Sequence, residues 1–144
     1  MEGALSCSKD LWVLSRYLSY AKHNASIFPV SDSNNAILAV GSSPFGRKLA
    51  WDWIQAQWNS TDRVLGNRKE LIGGILDGFW TKVDFQEVYS FRHKFGSAMD
   101  DYTRAALNEM LELMKANARW VTNNEEEVRH WLKTRVLQRS DAAH

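Results

Sequence analysis

The stretch GSSPFGRKLAWDW, Gly41 to Trp53, decides how this chain is read. Its first half resembles a phosphate-holding loop, and such a loop would follow a buried strand and imply an α/β nucleotide-binding fold. A P-loop requires G-x-x-x-x-G-K-[ST], with the lysine on the phosphates and the hydroxyl on magnesium. Gly41 and Gly46 keep the glycine spacing, but Arg47 stands in the lysine position and Lys48 in the hydroxyl position. The preceding Ile37 to Val40 reads as the end of a helix, not as a strand. The stretch is therefore a turn between two helices. Gly41 closes one, and Pro44 sits in the first turn of the next, where a missing N–H is harmless.

Helical periodicity extends from this turn in both directions. Upstream, Lys9 to Lys22 carries Leu11, Leu14, Leu18 and Ala21 on one face. Ser31, Asp32 and Ser33 offer N-caps for a helix ending at Val40. Downstream, the third helix runs through Leu49, Ala50, Trp53, Ile54 and Trp58. After a break at Asn59 to Asn67, Glu70 to Trp80 repeats the pattern with Leu71, Ile72, Ile75, Leu76 and Phe79. Asp84 and Glu87 form a capping box for Phe85 to Phe95, and Gly96 suits a C′ position. Met99 to Val121 is the longest helix. Asn123 or Asn124 caps a last one, whose Glu125, Glu126 and Glu127 favour its positive end and whose Val128, Trp131, Leu132 and Val136 form its buried face. The expected fold is all-α: an irregular HEAT/armadillo-like α-solenoid of about seven antiparallel helices. The domain spans 1–137, and 138–144 is a disordered tail.

Composition excludes several function classes. The chain has 144 residues, enough for one domain, and 18 Lys and Arg balance 17 Asp and Glu. No net field draws it to nucleic acid. No apolar run approaches the roughly 20 residues of a membrane span, so no direct membrane contact is expected. The N-terminus lacks a signal-peptide h-region, so the chain made as written stays in the cytoplasm. Cys7 is the single cysteine and forms no internal disulfide. Two sequons, Asn24-Ala25-Ser26 and Asn59-Ser60-Thr61, make Asn24 and Asn59 candidate N-glycosylation acceptors and hint at a secretory setting.

No motif supplies catalysis. His23, His93, His130 and His144 are far apart and form no H-E-x-x-H; Glu126 with His130 is one carboxylate and one imidazole, too few ligands for a metal. No G-x-S-x-G elbow is present. Gly73-Gly74 inside a helical pattern points to close helix packing or a kink. The seven tryptophans are core residues by default, with Trp51, Trp53 and Trp80 as the candidates for ligand stacking. The residues read as a helical packing or binding domain with no catalytic residue, metal ligand or cofactor of its own.

Three stretches, taken together, resemble the zinc aminopeptidases of the gluzincin family, which includes aminopeptidase N and the endoplasmic-reticulum aminopeptidases. Ala4-Leu5-Ser6-Cys7-Ser8-Lys9-Asp10 is similar to that family's A-L-[AS]-C-[ST]-K-[DE]. Gly46-Arg47-Lys48-Leu49-Ala50-Trp51-Asp52-Trp53 resembles G-[RQ]-x-L-A-W-[DN]-[FW]. Lys115-Ala116-Asn117-Ala118-Arg119-Trp120-Val121, with Asn124, Val128 and Trp131-Leu132, resembles K-A-N-I-[KR]-W-V-x-x-N-x-x-x-V-x-x-W. The order and spacing hold from about Ala4 to Leu132.

The resemblance implies the C-terminal part of the helical last domain, which closes the peptide chamber over a zinc-bearing catalytic domain. That domain would be this chain's partner in cis, the zinc would lie in it, and a peptide would be the substrate. The zinc motif and the amine-binding G-x-M-E-N belong to an earlier domain, so this chain alone should be inactive. Leu76-Asp77-Gly78-Phe79 departs from the family's basic helix end, and no substrate-binding residue carries over. Met1 falls at a mid-domain position, which implies a fragment, a truncated reading of a longer gene or a reduced paralogue. Part of a full enzyme, the chain would be extracellular or secretory, and a dimer is among the expected assemblies. The alternative is a stand-alone helical module that binds a protein or peptide through apolar surface near Leu5, Leu11 and Trp12.

Overall fold

A computed structural model describes residues 8–23, 30–59 and 65–141. Among them there is no strand. Six α-helices run in the order α1 Leu11–His23, α2 Val30–Ser42, α3 Arg47–Gln57, α4 Arg68–Leu76, α5 Lys82–Phe95 and α6 Asp101–Asp141, with a 3₁₀ turn at Gly96–Ala98 before the last. The all-α expectation holds. Cys7, Leu5, Asn24 and His144 lie outside the described residues.

Several helices begin where a side chain can take their free N–H groups, whereas α3 follows Gly46 with no side-chain cap. Asp10 caps α1 by accepting from the Trp12 N–H at 2.8 Å. Asn67 caps α4 by accepting from the Glu70 N–H, so α4 begins two residues before the expected Glu70. Thr81 and Asp84 form a reciprocal capping box at α5. The Asp84–Glu87 box expected from sequence is thus displaced by one turn. Thr81 is the residue with extended backbone, and Glu87 is engaged elsewhere. Gly96 keeps a right-handed helical φ of −63° and opens the 3₁₀ turn, so it is not the left-handed C′ residue the sequence suggests.

The helices alternate between two rows. α2 packs on α4 and α4 on α6, while α1 packs on α3, and α3 meets α5 through aromatic rings. Leu14, Leu18, Ile37, Val40, Trp51, Ile54, Leu71, Ile72, Ile75, Leu76, Leu107 and Met114 are fully or almost fully buried between the rows. Helices α2 and α4 approach closely because both carry glycine at the contact. A Cβ on Gly74 would lie 2.5 Å from Leu38 Cδ2, and one on Gly41 would strike Ile75 Cδ1. Gly73, by contrast, faces open space.

The largest departure from the sequence reading is α6. The expected break at Asn123–Asn124 is absent, and the two last helices are one of 41 residues. Chain chemistry explains the continuity. No Gly or Pro follows Gly96. Asn124, one of the two expected caps, donates its side-chain N–H back to the Trp120 carbonyl at 2.7 Å, and Thr122 bonds back to Ala118, as side chains do inside a continuing helix. Val128, Trp131, Leu132 and Val136, expected to be buried, are therefore 43–67% exposed. Tryptophan burial is likewise partial: Trp51 and Trp58 are buried and Trp53 packs half-buried on the core, but Trp12, Trp80, Trp120 and Trp131 are exposed.

Candidate functional site

The Gly41–Trp53 stretch is a hub between helices. Ser43, Pro44, Phe45 and Gly46 make a tight turn in which the Ser43 carbonyl accepts the Gly46 N–H at 3.1 Å and the Arg47 N–H at 2.9 Å. Pro44 occupies the second turn position, which its fixed φ suits, rather than the first turn of a helix as expected. Gly46 is obligatory here, since a Cβ would run into the Val40 carbonyl oxygen and lie 2.8 Å from Val40 Cγ1. Arg47 then turns inward. Its guanidinium donates to the Gly41 carbonyl and, 31 residues away, to the Gly78 carbonyl, both at 3.3 Å. The residue that occupies the phosphate-lysine position is thus a clamp on two backbone carbonyls. It ties the end of α2 to the end of α4.

The next residue, Lys48, pairs with Asp52 one turn on at 2.6 Å and with Glu87 of α5. Burial lowers the ammonium's proton affinity, but the hydrogen bonds and charges of the two carboxylates outweigh it and raise Lys48 above the ordinary lysine range. Gln55 donates to the same Glu87 oxygen at 3.0 Å. Beneath this polar seam, Trp51 stands edge-on to Phe91 at 4.8 Å and to Phe79 at 6.1 Å, and Trp58 edge-on to Phe91 at 4.9 Å. Both buried indole N–H groups lack a hydrogen-bond partner among the described residues. Trp51 is enclosed by the core and cannot stack on a ligand. Trp80 is 63% exposed.

The sequence gives no sign of a second feature. An open cleft runs between α5 and α6, with Lys82 and Phe85 on one wall and Lys115, Arg119 and Thr122 on the other. It continues past Trp80, Val121 and Glu125. Residues more than 30 apart converge there only because the chain doubles back, so local pattern carries no signal of it. His93 and His130 are exposed and on separate helices. Among the described residues no group of three or more His, Cys, Asp or Glu is placed to hold a metal ion, so they do not fit zinc. Asn59, just after α3, is exposed. Among the described residues no helix is long and apolar enough to cross a membrane.

The family described as ERAP1-like C-terminal domain matches residues 1–116. Aminopeptidase N of Bos taurus is 34% identical over 142 residues, covering 92% of this chain and 14% of that protein. Aminopeptidase N of Homo sapiens is 34% identical over 140 residues, covering 91% of this chain and 14% of that protein. The thyrotropin-releasing hormone-degrading ectoenzyme of Rattus norvegicus is 28% identical over 133 residues, 90% of this chain and 12% of that protein. The chain spans about one seventh of the length of the aminopeptidases it matches. Its helical hub, its matched stretches and these relatives together place it in the family of ERAP1-like C-terminal domains.

Proposed function

We propose that this chain is the C-terminal, chamber-closing part of a zinc metallo-aminopeptidase that removes N-terminal residues from peptides. The observation that carries the reading is the lopsided match: nearly all of this chain aligns with only 14% of aminopeptidase N. The chemistry would belong to a catalytic domain elsewhere in the same polypeptide, which binds the zinc. This chain, one domain over residues 1–137, contributes shape. The exposed Leu11 and Trp12 on α1 support the reading, because an apolar helix face of that kind fits a preceding helical layer. In that setting the protein is extracellular or secretory, consistent with one relative being named an ectoenzyme, and Asn59 is a glycosylation acceptor.

An immunoblot of source tissue with an antibody against residues 62–79 tests this. A band several times larger than 16.6 kDa, shifted by deglycosylation, is the expected result. The purified chain should release no product from aminoacyl anilides with zinc supplied. A single band near 16.6 kDa would favour the second reading, a stand-alone helical module that uses the α1 face to hold a protein or peptide.

A further inference from the structure

We infer that the groove between α5 and α6 is a docking surface for an acidic amphipathic helix of a partner protein. The two helices run antiparallel: Arg92 donates to Asn108 at 2.9 Å at one end, and Lys82 faces Thr122 at the other. The open groove between them extends from Trp80 to His93. Lys82 to His93 alone covers about 17 Å at 1.5 Å per helical residue. Its floor is apolar, with Leu111 buried and Phe85 and Ala118 half-buried. A groove of this shape between two packed helices is where the ridge of a third helix seats.

The charges identify the partner. Lys82, Lys115 and Arg119 line the middle of the groove, and no carboxylate lines it there. Among the described residues none of the three is in an ion pair. The free chain gains nothing from this arrangement. Lys115 and Arg119 are like charges at i,i+4, and Lys82 opens α5, the end of a helix least suited to a cation. Carboxylates laid beside all three replace that repulsion with attraction. Glu112 and Glu125 stand at the two ends of the groove, so the complementary helix is acidic in its middle turns and not throughout. Lys115 and Arg119 are one turn apart, which matches glutamates at the same spacing on the partner. An elongated groove with an apolar floor suits such a helix better than a compact anion.

Fluorescence anisotropy with the 144-residue chain tests this. The probe is a labelled peptide of about 14 residues, with leucine along one helical face, glutamate in its central turns and both ends blocked. Blocked ends remove the free amine and carboxylate of a peptidase substrate, so the result does not depend on whether the chain belongs to an active aminopeptidase. Saturable binding is expected, weakening as salt rises from about 50 mM to about 500 mM. Lys115→Glu combined with Arg119→Glu should weaken it at least about tenfold and leave the thermal unfolding midpoint unchanged, because both side chains are exposed. A peptide with lysine in place of the central glutamates should bind that double variant and not the wild type, which separates contact in the groove from loss of fold. No binding up to about 1 mM peptide overturns the inference. So does binding indifferent to the double variant, a charge swap that fails to restore it, or displacement of the peptide by an equal concentration of tripolyphosphate, which would make the groove a small-anion site.

Discussion

Gly46 and Gly73 illustrate how one residue type meets opposite surroundings. Gly46→Ala would push a methyl into the Val40 backbone, where nothing flexible can give, and should cost about 2–3 kcal/mol. Gly73→Ala adds a methyl to open space inside α4 and should stabilise by about 0.5–1 kcal/mol. Urea unfolding of both variants checks the pair. Arg47 and Lys48 are adjacent in sequence and differ in the same way. Arg47 ties two helix ends, whereas Lys48 is a half-exposed surface pair, so Lys48→Met should cost less than about 1 kcal/mol. None of these distinctions is legible in the letters, because each depends on what, if anything, the fold brings opposite the residue.

At the scale of elements, helix starts carry the testable chemistry. Asp100 caps α6: its carboxylate accepts from the Thr103 hydroxyl at 2.6 Å and the Thr103 N–H at 2.9 Å, and these bonds hold its pKa below the usual carboxylate range. A carboxyl depressed in the folded state contributes stability above its unfolded pKa and loses it as pH falls through the folded one. Wild-type protein should therefore lose this part of its stability in the acid range below the ordinary aspartate value, and Asp100→Asn should flatten that loss. Thermal unfolding midpoints from about pH 5 to about pH 2 check this. Helix existence, order and apolar faces were readable up to Met114 because 3.6-residue periodicity reports burial wherever a helix lies against a body. The same periodicity misled beyond Val121. There the amphipathic pattern is intact, yet no element of the described fold covers it. Removing residues 125–144 should leave the unfolding temperature within a few degrees, since Leu107, Leu111 and Met114 hold α6 to the body upstream.

For the whole molecule, the two rows of helices make one packed body whose two ends differ in kind. α1 presents Leu11 and Trp12 to solvent, while α6 runs on as a long arm. Trp51, at the meeting of α3, α5 and Phe79, is the keystone of the body, and Trp51→Ala should destabilise by about 3–5 kcal/mol, measurable as lost unfolding cooperativity or a lowered midpoint. By itself, the sequence determined the all-α class, most of the buried residues and the family, because helical period, caps and spaced motifs are local and survive as letters. It also argued against phosphate chemistry at Gly41–Lys48 from two mismatched positions. Only the tertiary structure decided that Arg47 clamps Gly78, that Glu87 answers Lys48 and not Asp84, and that Lys82, Lys115 and Arg119 share a cleft. Those contacts join segments 30 or more residues apart, and chain reversal, not local pattern, brings them together.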